Sequence, residues 1–266
     1  MKSKILINIT DKKYLEDYRK VGISAFLFAL KDYCVGYEAF SIEEIKEIDC
    51  PNKYLLINRI LDCNDVDKLR DILKNISGIK GIVYEDIGVY ELSKELKLNI
   101  ELIHFQNHFG TNINQVNFWL NRVDSIFICN ELTIDEIKEI SDKSSKPVCV
   151  HLYGHNQSMY SRRLLLTNWS EEFKIPYKNQ NIIEETSTKI KFIAYENKYG
   201  TVMYSEKVFN GSELLNLTNI KYFYINPMFI SHDEIMKFLE NMPTKINESE
   251  DDGFLHKETI FKLKGW

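Results

Sequence analysis

The feature that most constrains this chain is a rhythm. Short runs that are apolar at nearly every position alternate with stretches whose apolar residues recur at helical spacing. The apolar runs read as strands at Ile5–Thr10, Ala25–Ala29, Tyr54–Ile60, Gly81–Tyr84, Ile100–Phe105, Ser125–Cys129 and Val148–Leu152. A strand that is apolar throughout needs cover on both faces, and a parallel sheet provides it when its crossover helices pack against it. Helices are expected between the runs, at Lys12–Lys20, Asp65–Asn75, Gly88–Leu96, Ile113–Asn121 and Ile134–Ser141. In one of them Val66, Leu69, Ile72 and Leu73 make a single apolar face. Ser41 with Glu44, and Thr133 with Glu136, have the spacing of capping boxes that open helices. Seven successive strand–helix units predict closure into a ring rather than an open sheet.

The pattern changes after Tyr153. Leu164–Leu166 reads as a short strand. Lys191–Glu196 and Thr201–Ser205 alternate around Asn197-Lys198-Tyr199-Gly200, the signature of a hairpin with glycine at its turn. A short helix is expected at Glu213–Leu217. Tyr222–Ile225 then supplies an eighth strand, and Ser231 caps a last helix running to Asn241. The expected fold is therefore α/β, a single (β/α)8 TIM-like barrel over residues 1–266. A β-hairpin insertion at about 189–206 lies between strands 7 and 8, and a C-terminal tail at about 247–266 docks back on the barrel.

Composition narrows the functional classes. Its 266 residues can bury a large core without staples. A net charge of −5 argues against a broad nucleic-acid footprint. No stretch has the roughly 20 apolar residues that span a bilayer, and the N-terminus lacks the pattern of a signal peptide. Five scattered cysteines with no CxxC pair point to reduced thiols and a cytoplasmic location.

In such a barrel the reacting groups gather where the strands end. The residues expected at that rim are Asn58 and Arg59, Glu85 and Asp86, His104, Gln106, Asn107 and His108, Asn130 and Glu131, His151, Tyr153 and His155, Tyr160 through Arg163, and Asn226. Arg162 and Arg163 are adjacent guanidinium forks suited to an anionic group. Glu131 is a candidate general base, or else one half of an ion pair with Arg59 or Arg163. His104/His108 and His151/His155 form two HxxxH spacings. With Glu85, Asp86 or Glu131 they make a divalent metal conceivable, but on loops such spacing does not force convergence, and a metal is not favoured. Phe118 and Trp119 are expected in the core and Tyr153 in ordinary packing.

Three segments carry a family likeness: GIVYEDIGV (Gly81–Val89), FICNELTIDEIKEI (Phe127–Ile140) and VHLYGHNQSMYSRRLLL (Val150–Leu166). In order and spacing they resemble peptidase family U32, the collagenase-like proteases, with Gly154, Tyr160, Ser161 and Arg163 matching its Tyr-Ser signature. The resemblance extends from about Leu6 to Asn241 and implies a hydrolase acting on peptides. Glu131, Tyr160 and Ser161 would be its catalytic residues, and Arg163, Arg162, Asn58, Asp86, Gln106 and Asn130 would line a rim pocket for an anionic substrate. Family members place cysteines, in some linked to an iron–sulfur cluster, where this chain has Gln157 and Leu164, so no cluster is expected. Two alternatives stay open: a role in RNA modification, with a basic rim around Arg59, Arg162 and Arg163, or a non-catalytic anion- or RNA-binding accessory protein. A paired subunit or oligomer is compatible with each, and a membrane partner is not expected.

Overall fold

A computed structural model describes residues 2–106 and 108–257. Asn107, and residues 258–266 of the expected tail, lie outside the described residues. The fold is mixed α/β and dominated by parallel strand pairing. In chain order the main strands are β1 (Ile5–Asn8), β2 (Ala25–Leu30), β3 (Lys53–Ile57), β4 (Gly81–Tyr84), β5 (Glu101–His104), β6 (Ser125–Ile126), β7 (Val148–Ser161), β8 (Gln180–Glu184), β9 (Lys191–Asn197), β10 (Gly200–Asn210) and β11 (Ile220–Ile225). The helices are α1 (Leu15–Lys20), α2 (Ile42–Glu47), α3 (Cys63–Lys74), α4 (Ile87–Glu95), α5 (Ile113–Leu120), α6 (Ile134–Lys143), α7 (Leu165–Phe173) and α8 (His232–Asn241).

Strands β1 to β6 pair in parallel in chain order. Strand β1 also pairs in parallel with β11, and β11 with β7. Just past β6, Phe127 makes a parallel bridge to Cys149 of β7, and Ile128 N–H donates to the Cys149 carbonyl at 2.9 Å. No helix of the described residues is long and apolar enough to cross a membrane.

Because side chains alternate faces along a strand, these apolar strands feed two cores. Leu27, Leu56, Val83, Ile103, Cys149 and Tyr224 pack with one another in one cluster. Their neighbours Phe28, Leu55, Ile82, Tyr84 and Val150 pack in another with the helical residues Leu69, Val89, Val116 and Ile137. The capping boxes at Ser41 and Thr133 are both formed, and another is formed at Ser231. Each satisfies backbone donors that a helix start would leave open.

The region after Tyr153 departs from expectation in three ways. Strand β7 runs on to Ser161 and pairs antiparallel with β10. The hairpin is one part of a larger layer, because β8 adds to β9. Leu164–Leu166 begins a helix, not a strand, since α7 starts at Leu165. The passage of β7 from parallel to antiparallel pairing requires Gly154, which has φ +131°. A Cβ there would come within 2.4 Å of the Asn226 carbonyl oxygen. Gly154→Ala is expected to destabilise the fold by at least about 2 kcal/mol, read as a lower urea midpoint with an unchanged slope.

The added layer packs over the strand ends. Tyr204 donates to the Gly36 carbonyl (2.8 Å) and Asn197 to the Cys34 carbonyl (3.1 Å), so it is fastened to the loop after β2. Val35, Ile193, Val202 and Tyr204 form the buried contact between them.

Candidate active site

A cleft of about 510 Å³ opens beside the ends of β4 and β5, walled on one side by the outer part of β7. Glu85, Asp86, His104, Gln106, Gln157 and Tyr160 supply its polar lining, and Ile60, Ile87, Phe109 and Trp119 the apolar part.

Glu85 follows the last residue of β4. Two-residue alternation puts it on the same side as Val83, toward the inner core. Its Oε1 is buried with no hydrogen-bond partner. Burial pushes its carboxyl up to about 8, because the charged form is poorly solvated there. It is therefore mostly protonated at neutral pH, although Glu85 as a whole is only partly buried.

His104 ends β5 and pairs in register with Tyr84. Its ring stacks on Trp119 at 4.0 Å and tilts against Tyr84 at 5.3 Å. Burial pulls its pKa down to about 4, with a nearby Gln106 contact opposing, so the ring is neutral at pH 7. Phe118, expected in the core beside Trp119, is instead half exposed and lies under the Arg122 guanidinium at 3.8 Å. The end of a helix turns it outward while Trp119 turns in.

The sequence candidates distribute around this cleft. Asp86, Gln106 and Tyr160 line it. The Asp86 carboxylate also accepts from Gly88 N–H (2.8 Å) and Leu61 N–H (2.9 Å), which caps α4 and holds the neighbouring rim loop. Glu131 is exposed, 3.3 Å from Nδ1 of His108, a wall residue. Asn58 is fully buried, and both ends of its amide bond the Val35 backbone, each at 3.0 Å. Asn130 donates to Asn156 at 2.8 Å.

Ser161 accepts from Arg163 N–H at 3.1 Å, closing a tight turn past the end of β7. Arg162 reaches Asp62 at 3.5 Å at the surface. The Arg163 side chain is exposed and has no ion pair among the described residues. Arg59, expected at a basic rim, is buried instead. It pairs with Asp65, and its guanidinium lies 3.8 Å from the Tyr199 ring centre. The structure thus joins Asp86, Gln106 and Tyr160 in one lining, brings Glu131 alongside, and leaves Asn58, Asn130, Ser161, Arg162 and Arg163 outside it. Glu85 and His104, both expected at the rim, also line the cleft, although the family resemblance assigns neither a role. The signal for Glu85 was available, since a strand with Val83 facing inward must also face residue 85 inward.

The sequence pattern of peptidase family U32 matches residues 15–223, well over half of the chain. The chain belongs to peptidase family U32. Among solved structures, this U32 chain is similar to the U32 peptidase Mk0906, with a TM-score of 0.52 and 10% identity, over 84% of this chain and 92% of that one. At such identity the likeness concerns the fold. The Bacillus cereus spore cortex-lytic enzyme SleL also aligns, with a TM-score of 0.45 and 10% identity over 89% and 73% of the two chains. No curated protein sequence matches this one significantly.

The iron–sulfur cluster of some U32 members does not fit the residues here. Gln157 is buried on the cleft wall and Leu164 precedes α7, and neither side chain is a normal ligand for iron. Burial pushes the Cys34 and Cys149 thiols up to about 12. Among the described residues no three His, Cys, Asp or Glu side chains converge as metal ligands.

Proposed function

We propose that this protein is a cytoplasmic peptidase of the U32 type, a single (β/α)8 barrel domain that hydrolyses peptides in the cleft beside β4 and β5. The barrel reading rests on the eight parallel strands and the Phe127–Cys149 bridge between β6 and β7. The cytoplasmic reading rests on five free cysteines. One observation carries the catalytic reading: Glu85, a carboxyl that burial keeps protonated near neutral pH, lies on the cleft wall with one oxygen unbonded.

Cleaving an amide requires a proton for the departing amine, and a group whose pKa lies near the working pH delivers it best. Glu85 is that donor. Gln106 offers both a donor and an acceptor to a substrate backbone, and Tyr160 closes the wall. Glu131 acts one step back, by orienting His108. Arg163 lies just beyond the wall with its fork open, suited to the carboxylate end of a peptide.

Purified protein incubated with a panel of short peptides is expected to release fragments detectable by mass spectrometry. Glu131→Ala should slow turnover roughly tenfold to a hundredfold, the loss typical of a misplaced wall residue. A panel from which no peptide is cut would remove this reading.

A further inference from the structure

A second cavity, of about 540 Å³, lies between the ends of β1 and β11 and the added layer. The cleft around Glu85 does not use it. Its size suits a small ligand or a single side chain with its flanking backbone.

Its lining has a consistent chemistry. Tyr14, Tyr18, Tyr195 and Phe229 present aromatic rings, and Asp11 and Glu38 present carboxylates; no lysine or arginine is among the lining residues. Glu38 is exposed and has no ion pair among the described residues. Glu38 and Tyr195 stand in the same wall of lining residues, and burial, with the Glu38 charge next, pushes the Tyr195 hydroxyl upward.

Phe229 has φ +64°, a conformation that costs a residue with a side chain roughly 1–3 kcal/mol. It holds the ring 5.8 Å from Tyr195 and 5.6 Å from Tyr204. Tyr18 is 1% exposed, and its hydroxyl has no hydrogen-bond partner. Nδ1 of His232 is likewise buried and unpartnered, while its Nε2 lies 3.2 Å from Asp17. Buried polar atoms without partners are uncommon and call for an explanation.

The chain itself supplies a guide to the ligand. The Lys13 ammonium sits 2.8 Å from Asp11 and 4.7 Å from the centre of the Tyr14 ring. An alkylammonium thus already settles where this carboxylate and this ring face meet. Ring faces attract cations through their quadrupole, and more strongly when water is excluded.

We propose that this cavity binds an alkylammonium group, as carried by a lysine side chain of a peptide. Glu38, which unlike Asp11 has no ion pair among the described residues, supplies the opposite charge, Tyr195 and Phe229 the ring faces, and Tyr18 a buried hydroxyl with no partner in the wall. The site is independent of hydrolysis at Glu85.

Ligand-observed NMR titration with N-acetyl-lysine amide tests it, with N-acetyl-norleucine amide as the uncharged counterpart of similar shape. Saturable binding of the lysine compound is expected, at least about tenfold tighter than that of the norleucine compound. Glu38→Gln should weaken it about tenfold without changing the melting temperature, since Glu38 is exposed. Tyr195→Leu should weaken it similarly, and Glu85→Gln should bind like wild type. Equal binding of the two compounds, absence of binding, or full affinity in Glu38→Gln would overturn the proposal. So would loss of binding in Glu85→Gln, which would assign the signal to the other cleft.

Discussion

Replacing Glu196 by alanine is expected to destabilise the protein by about 3 to 5 kcal/mol, because several buried donors would lose a charged acceptor together. Glu196 is 2% exposed near the end of β9. Its carboxylate accepts from Leu166 N–H at 2.7 Å, from Thr167 N–H at 3.1 Å and from the Thr167 hydroxyl at 2.6 Å. The Thr201 hydroxyl lies 2.6 Å from its other side.

The two backbone donors belong to the first turn of α7, whose own N-cap residue, Leu164, offers no side-chain bond. Glu196 therefore performs from about 30 residues away what a serine or aspartate performs at an ordinary helix start. Its charge is also favoured at the positive end of the helix. Alanine would leave these donors facing a dry space. Glu196→Gln keeps one acceptor oxygen but turns an amide toward a donor, so about half of the loss is expected. Urea melts of the three proteins, with unchanged slopes, read these differences directly. A loss below about 1 kcal/mol for alanine would mean that water reaches the turn.

This residue also explains which parts of the fold could be read in the sequence. The parallel strands were legible because burial on both faces writes them as continuous apolar runs, as at Ala25–Leu30 and Val148–Leu152. The helix starts at Ser41 and Thr133 were legible because their caps are local, with donor and acceptor three residues apart. The start of α7 was not, since its cap lies on another strand, and Leu164-Leu165-Leu166 alone reads as a strand. Strand β8 leaves no such mark in the sequence, because it stands at the edge of the added layer, where Gln180–Glu184 alternates between exposed and half-buried positions and builds no apolar run.

The candidate site divides in the same way. Asp86 and Gln106 are readable as residues that follow strands, and Tyr160 through the family's Tyr-Ser signature; the three line one cleft. Arg59 was expected at the rim on the same argument. The sequence cannot reveal that Asp65 and the Tyr199 ring, from separate parts of the chain, enclose its guanidinium. Asn58 is similar: its amide fits the Val35 backbone, and only the folded loop makes that pairing visible.

Replacing Glu85 by glutamine is expected to reduce peptide turnover by roughly 10²–10⁴-fold, the usual contribution of a positioned proton donor. In the wild type, turnover should fall as pH rises through about 8, where the acid form is lost. Stability should reveal the same group independently of any substrate. The folded state holds this proton up to about 8, whereas the unfolded chain releases it near 4.5. Between those values the folded protein carries the extra proton, so stability is greatest below about 4.5 and declines as pH rises toward 8. At 1.36 kcal/mol per pKa unit, the whole window amounts to roughly 5 kcal/mol. Glutamine stays neutral and avoids that decline. Glu85→Gln should therefore match the wild type near pH 4 and exceed its stability by a few kcal/mol at pH 9.

His104 and His151 act in the opposite sense. Burial holds both down at about 4, so their contribution is present above about 6.5 and is lost as pH falls toward 4. Wild type and variant share that acid limb, and the difference between their urea midpoints at pH 4, 7 and 9 cancels it. Parallel curves across that range would mean that Glu85 ionises like a solvated carboxylate. The cleft would then lose its proton donor, even if peptides were still cut.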